Sequence, residues 1–172
     1  MKKKNVRLLN RQGFTLIELI IVVTVILVIS VVTLLNYNSY TDRQRVKQAG
    51  LTLRSDLRLA QTKATSGQKP FICDATTTLE SYTITFSDCG GLGACYEILP
   101  VCTQSGTLVD TSGDVTRVFL PSSVRFQMSY APISFFPVTG VTDLTEDRLI
   151  VLTGAGVTYS VVISTSGSIS DF

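Results

Sequence analysis

The 172-residue chain contains no histidine and no tryptophan. Without histidine it lacks the commonest general base and the commonest metal ligand, so a His-based triad or a His-containing zinc site is excluded. Without tryptophan it lacks the best stacking ring. Charge is also scarce: 16% of residues are charged and the net value is +2, too small to imply a polyanion partner by itself. Proline is absent before Pro70, so nothing breaks a helix in the first part of the chain. What the chain has in abundance is apolar residues, 45% of the total, with a mean hydropathy of +0.33. That content excludes a disordered chain and asks where the excess sits.

Most of it sits between Phe14 and Leu35, FTLIELIIVVTVILVISVVTLL, which holds one ionisable group, Glu18. A bilayer core needs roughly 20 apolar helical residues, so the run is long enough to span. Lys2, Lys3, Lys4, Arg7 and Arg11 precede it with no acid among them. That asymmetry predicts a single-pass segment with a cytoplasmic N-terminus and everything after Leu35 exported. An ordinary cleaved signal peptide has a shorter apolar region ending in a small-residue site, and no Ala-x-Ala follows this one. A carboxylate inside such a run costs about 2.5–3.5 kcal/mol on insertion scales, so Glu18 needs a partner, a proton or the membrane interface.

The residues Gly13-Phe14-Thr15-Leu16-Ile17-Glu18-Leu19, behind a short basic leader, resemble the N-terminal processing motif of the type IV pilin family. The resemblance implies that a membrane-embedded prepilin peptidase cuts between Gly13 and Phe14 and methylates the new amino group of Phe14. It also implies that Glu18 pairs with the Phe14 amine of a neighbouring subunit during assembly. The chemistry agrees: cutting creates an ammonium group four residues before Glu18, and two charges in lipid are each costly alone. Many relatives carry a proline near Leu35; this chain does not.

After Leu35, Asn-Tyr-Asn-Ser-Tyr reads as a membrane exit with interfacial tyrosines. From Thr41 to Ser66, apolar residues at Val46, Ala49, Leu53, Leu57, Ala60 and Ala64 form one helical stripe. Ser66-Gly67 supplies a stop. The prediction is one nearly continuous helix from Phe14 to about Ser66. Residues 41–69 carry seven cations against Asp42 and Asp56, whereas the chain from Pro70 carries ten acids against Arg117, Arg125 and Arg148. A DNA-binding stem is disfavoured, because the stem lacks stacking aromatics and the acidic head would repel phosphate.

Beyond Pro70 the pattern changes to period two. Residues 82–86, 115–120, 124–128, 133–136, 149–152 and 157–163 read as strands, with turns at 153–156 and 165–167. The expected fold is α+β: a long N-terminal helix, membrane-spanning in its first half, packed on an antiparallel sheet of about six to eight strands. The expected divisions are a leader at 1–13, a membrane or filament-core helix at 14–35, an amphipathic stem at 36–69 and a periplasmic or extracellular head at 70–172. The strand pattern from Ile133 onward resembles the H-type pseudopilins and FimT-like minor pilins.

Cys73, Cys89, Cys95 and Cys102 all fall in the exported part, where two disulfides are expected. Of the three pairings, Cys73–Cys89 with Cys95–Cys102 is favoured, the second closing a hairpin over Tyr96 to Val101. Their spacing fits no zinc or redox site. The segment Cys89-Gly-Gly-Leu-Gly-Ala-Cys95 lacks the Lys and Ser/Thr of a phosphate loop and reads as a constrained surface loop. Asp143, Glu146 and Asp147 fit no EF-hand and read as a solvated loop rather than a Ca²⁺ site.

No enzyme, metal or cofactor is expected. The resemblance implies a minor pilin or pseudopilin whose partners are other pilin subunits, the prepilin peptidase and membrane lipid, with nucleic acid disfavoured. Two other readings stand beside it: a minor pilin of DNA uptake, and a membrane-anchored binding domain that never polymerises.

Overall fold

The computed structural model describes residues 13–71, 73–74, 76–89, 93–109 and 111–171, with the side chains of 31–39 and 112 excepted. The basic leader at 1–12, the side chains at the end of the apolar run, 31–35, and the centre of the Gly-rich loop at 90–92 therefore lie outside the description. The chain divides into two compact units, Met1–Ser39 and Tyr40–Phe172.

One helix, α1, spans Leu16–Thr65. In the second unit its predicted stripe is the buried one: Val46, Leu53, Leu57, Ala60 and Ala64 are fully buried and Ala49 nearly so. Each leucine removed from water there contributes about 1.5–3 kcal/mol. The helix ends as Gly67 predicts. Gly67 takes φ +60°, its N–H donates to Ala64 O (2.9 Å), and Gln68 N–H donates to Lys63 O (3.0 Å). Those two bonds satisfy carbonyls that the last turn would otherwise leave open.

Nine strands are found among the described residues: β1 (Thr78–Asp88), β2 (Ala94–Gln104), β3 (Thr107–Val109), β4 (Thr116–Phe119), β5 (Arg125–Phe126), β6 (Ile133–Phe135), β7 (Arg148–Gly154), β8 (Val157–Ile163) and β9 (Ile169–Asp171). They form two antiparallel sheets rather than the single one expected. The first runs β3-β2-β1-β6, with β4 also paired to β2; the second runs β5-β7-β8-β9. Both turn their apolar faces into one core with the stem: Tyr82, Ile84, Tyr96, Ile133 and Phe135 from the first, Ile150, Leu152, Val161 and Ile163 from the second. The α+β architecture, a helix packed on antiparallel sheet, is the one read from the sequence.

Strand β2 runs straight through Tyr96 to Val101, where a hairpin closed by Cys95–Cys102 is expected from the sequence, and it contains Pro100. Its position explains how a central strand tolerates one. β4 pairs with β2 at 95–98 and β3 pairs at 102–104, so Pro100 sits in the gap between two partners where no N–H is needed. Thr111 Oγ1 donates to Pro100 O (2.6 Å) and closes that gap.

The disulfides correct the favoured pairing. They are Cys73–Cys102, with Cα atoms 6.2 Å apart, and Cys89–Cys95, at 5.8 Å. Cys95 and Cys102 are both on β2, about 23 Å apart at 3.3 Å per residue, and cannot bond. The β1–β2 hairpin sets the alternative: Ser87 faces Cys95 at its closed end and Leu79 faces Cys102 at its open end. Cys89 and Cys73 lie just outside those two ends.

Candidate processing and assembly site

The predicted cleavage site lies immediately before α1. Gly13 and Phe14 precede the helix, Thr15 stands at its N-cap, and Phe14 is 80% exposed. A Cβ at Gly13 would meet nothing within 4 Å among the described residues, so the bond predicted to be cut is not packed against any of them. The helix starts where it does because Thr15 caps it. Glu18 N–H donates to Thr15 Oγ1 (3.3 Å) and Leu19 N–H to Thr15 O (3.2 Å). Thr15-x-x-Glu18 is half of a capping box, a signal legible in the sequence beside the processing motif. Glu18 also lies in the first turn, where the helix dipole favours an anion. Its carboxylate is exposed and has no ion-pair partner among the described residues.

From Leu16 to Ile29 the helix exposes apolar side chains on every side. Leu19, Ile20, Ile21, Val22 and Val23 follow one another and are each between 46% and 60% exposed, so no polar face exists. A helix that is apolar all round belongs in lipid or among other helices, not in water. The hydroxyl within this stretch and the one that follows it are satisfied within the helix itself: Thr24 Oγ1 donates to Ile21 O (2.8 Å) and Ser30 Oγ to Ile26 O (2.7 Å). That is the requirement a water-free surrounding imposes. No helix is long and apolar enough to cross a membrane among the described residues. The described side chains of the apolar run end at Ser30, short of the roughly 20 residues a bilayer core needs.

In the second unit, side chains of the stem are tied to the head by polar contacts that the sequence did not signal. Tyr96, fully buried, donates its hydroxyl to Asp56 Oδ2, and burial first, then that carboxylate, pushes its phenol far above the usual range. Arg54 Nη1 pairs with Asp171 Oδ1 (2.7 Å), whose second oxygen accepts from Tyr159. Desolvation and the Asp171 bond push the Tyr159 phenol up to about 12, and the Tyr159 bond and Arg54 hold the Asp171 carboxyl below the usual carboxylate range. Gln61 Nε2 donates to both Gly140 O (3.1 Å) and Gly167 O (2.8 Å), pinning two loops to the helix.

The other candidate groups have structural partners. Asp143 Oδ1 accepts from Ser134 N–H (2.9 Å) and Asp147 Oδ1 from Thr165 N–H (3.2 Å), so two of the three loop carboxylates hold backbone. A cleft of about 570 Å³ beside Gly93 is lined by Phe86, Phe126 and Met128 together with Arg125, Asp88 and several serines. The site that carries a motif is therefore the N-terminal one.

Comparison with known families bears on that same segment. Residues 8–34 match the family model of the prokaryotic N-terminal methylation motif. The chain carries this motif. The match covers Gly13, Phe14 and Glu18 together with most of the apolar run, and it supports the type IV pilin resemblance drawn from those residues. No curated protein and no solved structure matches the chain.

Proposed function

We propose that this chain is a subunit of a type IV pilin-like filament, made as a membrane-anchored precursor. The observation that carries the reading is the helix apolar on all sides from Leu16 to Ile29, directly behind an exposed Gly13-Phe14 bond in a methylation motif. The prepilin peptidase cuts that bond and methylates Phe14; this chain is the substrate and does no chemistry of its own. Before assembly the run Phe14–Leu35 crosses the inner membrane once, N-terminus inside, and the head lies outside. After assembly the same surface is covered by neighbouring helices, with the Phe14 ammonium of one subunit against Glu18 of the next. Such a buried pair sets register more than it adds stability.

Within this class the strand pattern from Ile133 onward favours a minor subunit of the H-type or FimT-like kind, acting in initiation of a pilus or of a secretion pseudopilus. The test is to quantify head peptides in sheared surface fibres and in residual membranes. Trace amounts in fibres alongside an abundant subunit mark a minor pilin. Recovery from membranes alone, together with short-lived relatives, marks a secretion pseudopilus. A leader-bearing chain that stays single in the membrane contradicts the filament reading and leaves an anchored binding domain.

A further inference from the structure

The two sheets of the head leave two unpaired edges at one cleft. In an antiparallel ladder the bonding side alternates from residue to residue, and the neighbours of β1 show which side is which. Leu120 N–H donates to Ala94 O (2.9 Å), so Ala94 and Tyr96 bond β4, which leaves Cys95 and Glu97 to bond Ser87 and Thr85. On the other side of β1, Ser134 gives its N–H to Asp143 Oδ1 (2.9 Å) and its carbonyl to Asp143 N–H (3.2 Å), so β6 bonds Tyr82 and Ile84 through its other residues. Two and four residues beyond Ile84, the N–H and C=O of Phe86 and Asp88 point the same way, past the end of β6. Ala131, which would come opposite Phe86, turns its carbonyl to Arg148 Nη1 instead (3.4 Å). The main-chain groups of Phe86 and Asp88 on this side have no partner among the described residues.

Strand β5 is left open in the same way. Gln127 N–H donates to Val151 O (2.9 Å), so the N–H and C=O of Phe126 point away from β7, and they too have no partner among the described residues. The cleft of about 570 Å³ has Phe86 and Asp88 in one wall and Arg125, Phe126 and Met128 in the other. The two phenylalanine rings meet edge to face at 5.4 Å, and both rest on the buried Tyr130 (5.8 and 6.1 Å). Met128 is 59% exposed, and Arg125 is exposed with no ion-pair partner among the described residues. Neither a lysine nor a proline guards Thr85–Asp88, as open strand edges usually require.

We propose that this cleft receives an extended segment of a different polypeptide, added as a strand beside β1, with an apolar side chain on Phe86, Phe126 and Met128 and an acidic neighbour at Arg125. Unpaired N–H and C=O groups that recur at every second residue, about 6.8 Å apart, match an extended backbone. They match neither a lipid tail nor a helix, whose own main-chain groups are already bonded. Walls on both sides admit a free strand, whereas the edge of a folded sheet, a second copy's included, reaches one of them only. Charge complementarity fixes the side chains. Arg125 is exposed where its neighbour Phe126 is half-buried, so the acid and the apolar residue of the segment are adjacent in its sequence. The inference concerns the head alone and does not rest on the filament reading.

The test is selection of short displayed peptides of random sequence on the full-length chain in detergent, followed by hydrogen exchange of the complex. The expected winners alternate apolar and polar residues, carry an acid beside an apolar residue, and slow exchange at the Phe86, Asp88 and Phe126 amides. N-methylation of alternate peptide amides should weaken binding about tenfold or more in the phase that faces β1, and less in the other. Arg125→Glu, a change at an exposed and unpaired side chain, should weaken the acidic peptides about fivefold and select basic ones in their place. No enrichment, peptides that leave those three amides exchanging freely, or binding indifferent to N-methylation in both phases overturns the strand. An unchanged preference in a folded Arg125→Glu variant overturns the acidic partner.

Discussion

Replacing Gly50 by alanine should destabilise the head, although alanine is the better helix former. Gly50 lies on the buried face of α1, and a Cβ built there falls 2.0 Å from Tyr159 Cδ1 and 2.5 Å from its neighbouring ring carbons. Carbon atoms need about 3.5–4.0 Å, so the ring must retreat by roughly 1.5 Å. It is not free to do so, because its hydroxyl is held by Asp171, which Arg54 holds in turn. Overpacking of this kind costs about 1–3 kcal/mol. The helix gains about 1 kcal/mol from the loss of glycine, so the net is a loss of about 0–2 kcal/mol. In a Tyr159→Ala background the obstacle is gone and only the helix gain remains. Gly50→Ala should there stabilise by about 1 kcal/mol. The assay is urea unfolding of the four full-length variants in detergent. A change of sign between backgrounds supports the close approach. Equal effects within about 0.5 kcal/mol refute it.

Removing the Cys73–Cys102 bridge should cost more than removing Cys89–Cys95. They close loops of 29 and 6 residues, for which chain entropy gives about 3.6 and 2.2 kcal/mol; melting of the paired Cys→Ser variants under oxidising conditions tests the order. Alkaline pH should loosen the head. Tyr159, raised to about 12, and Tyr96, raised further, bind their protons more tightly folded than unfolded, so their contribution is complete below the ordinary phenol value of 10.0 and is lost as pH rises through the folded values. Unfolding midpoints measured between pH 8 and 12 should fall only beyond about pH 10, and Tyr159→Phe should shrink that fall. Glu18→Ala should insert in the membrane at normal levels yet be depleted from filaments about tenfold or more, since it leaves the Phe14 ammonium unpaired; incorporation equal to wild type, measured by quantitative mass spectrometry, would remove the pairing role.

What could be read in the sequence is what is written contiguously. The stem stripe from Val46 to Ala64 follows from spacing alone, and the Gly67 stop from the conformation that only glycine adopts cheaply. The processing motif is a seven-residue word. What could not be read depends on partners distant in the chain. The pairing of β2 with β1, β3 and β4, which leaves Pro100 in a gap, exists only once the sheet is assembled. The disulfides follow strand register, which cysteine spacing does not encode. Gly50 looks like a defect in a helix until Tyr159, more than a hundred positions later, is laid against it. Asp56 and Tyr96 give no local hint of each other for the same reason.

On the proposed function, the Gly13–Phe14 bond is cut before the apolar helix is used. Trypsin cleaves after Arg11 and next after Arg43, so the N-terminal fragment reports directly on that bond. Mass spectrometry of membranes and fibres, from cells with and without prepilin peptidase, distinguishes two products. The expected fragment is Phe14–Arg43 carrying one N-methyl group when the peptidase is present, replaced by Gln12–Arg43 when it is absent. Gln12–Arg43 in assembled fibres of peptidase-bearing cells would contradict it.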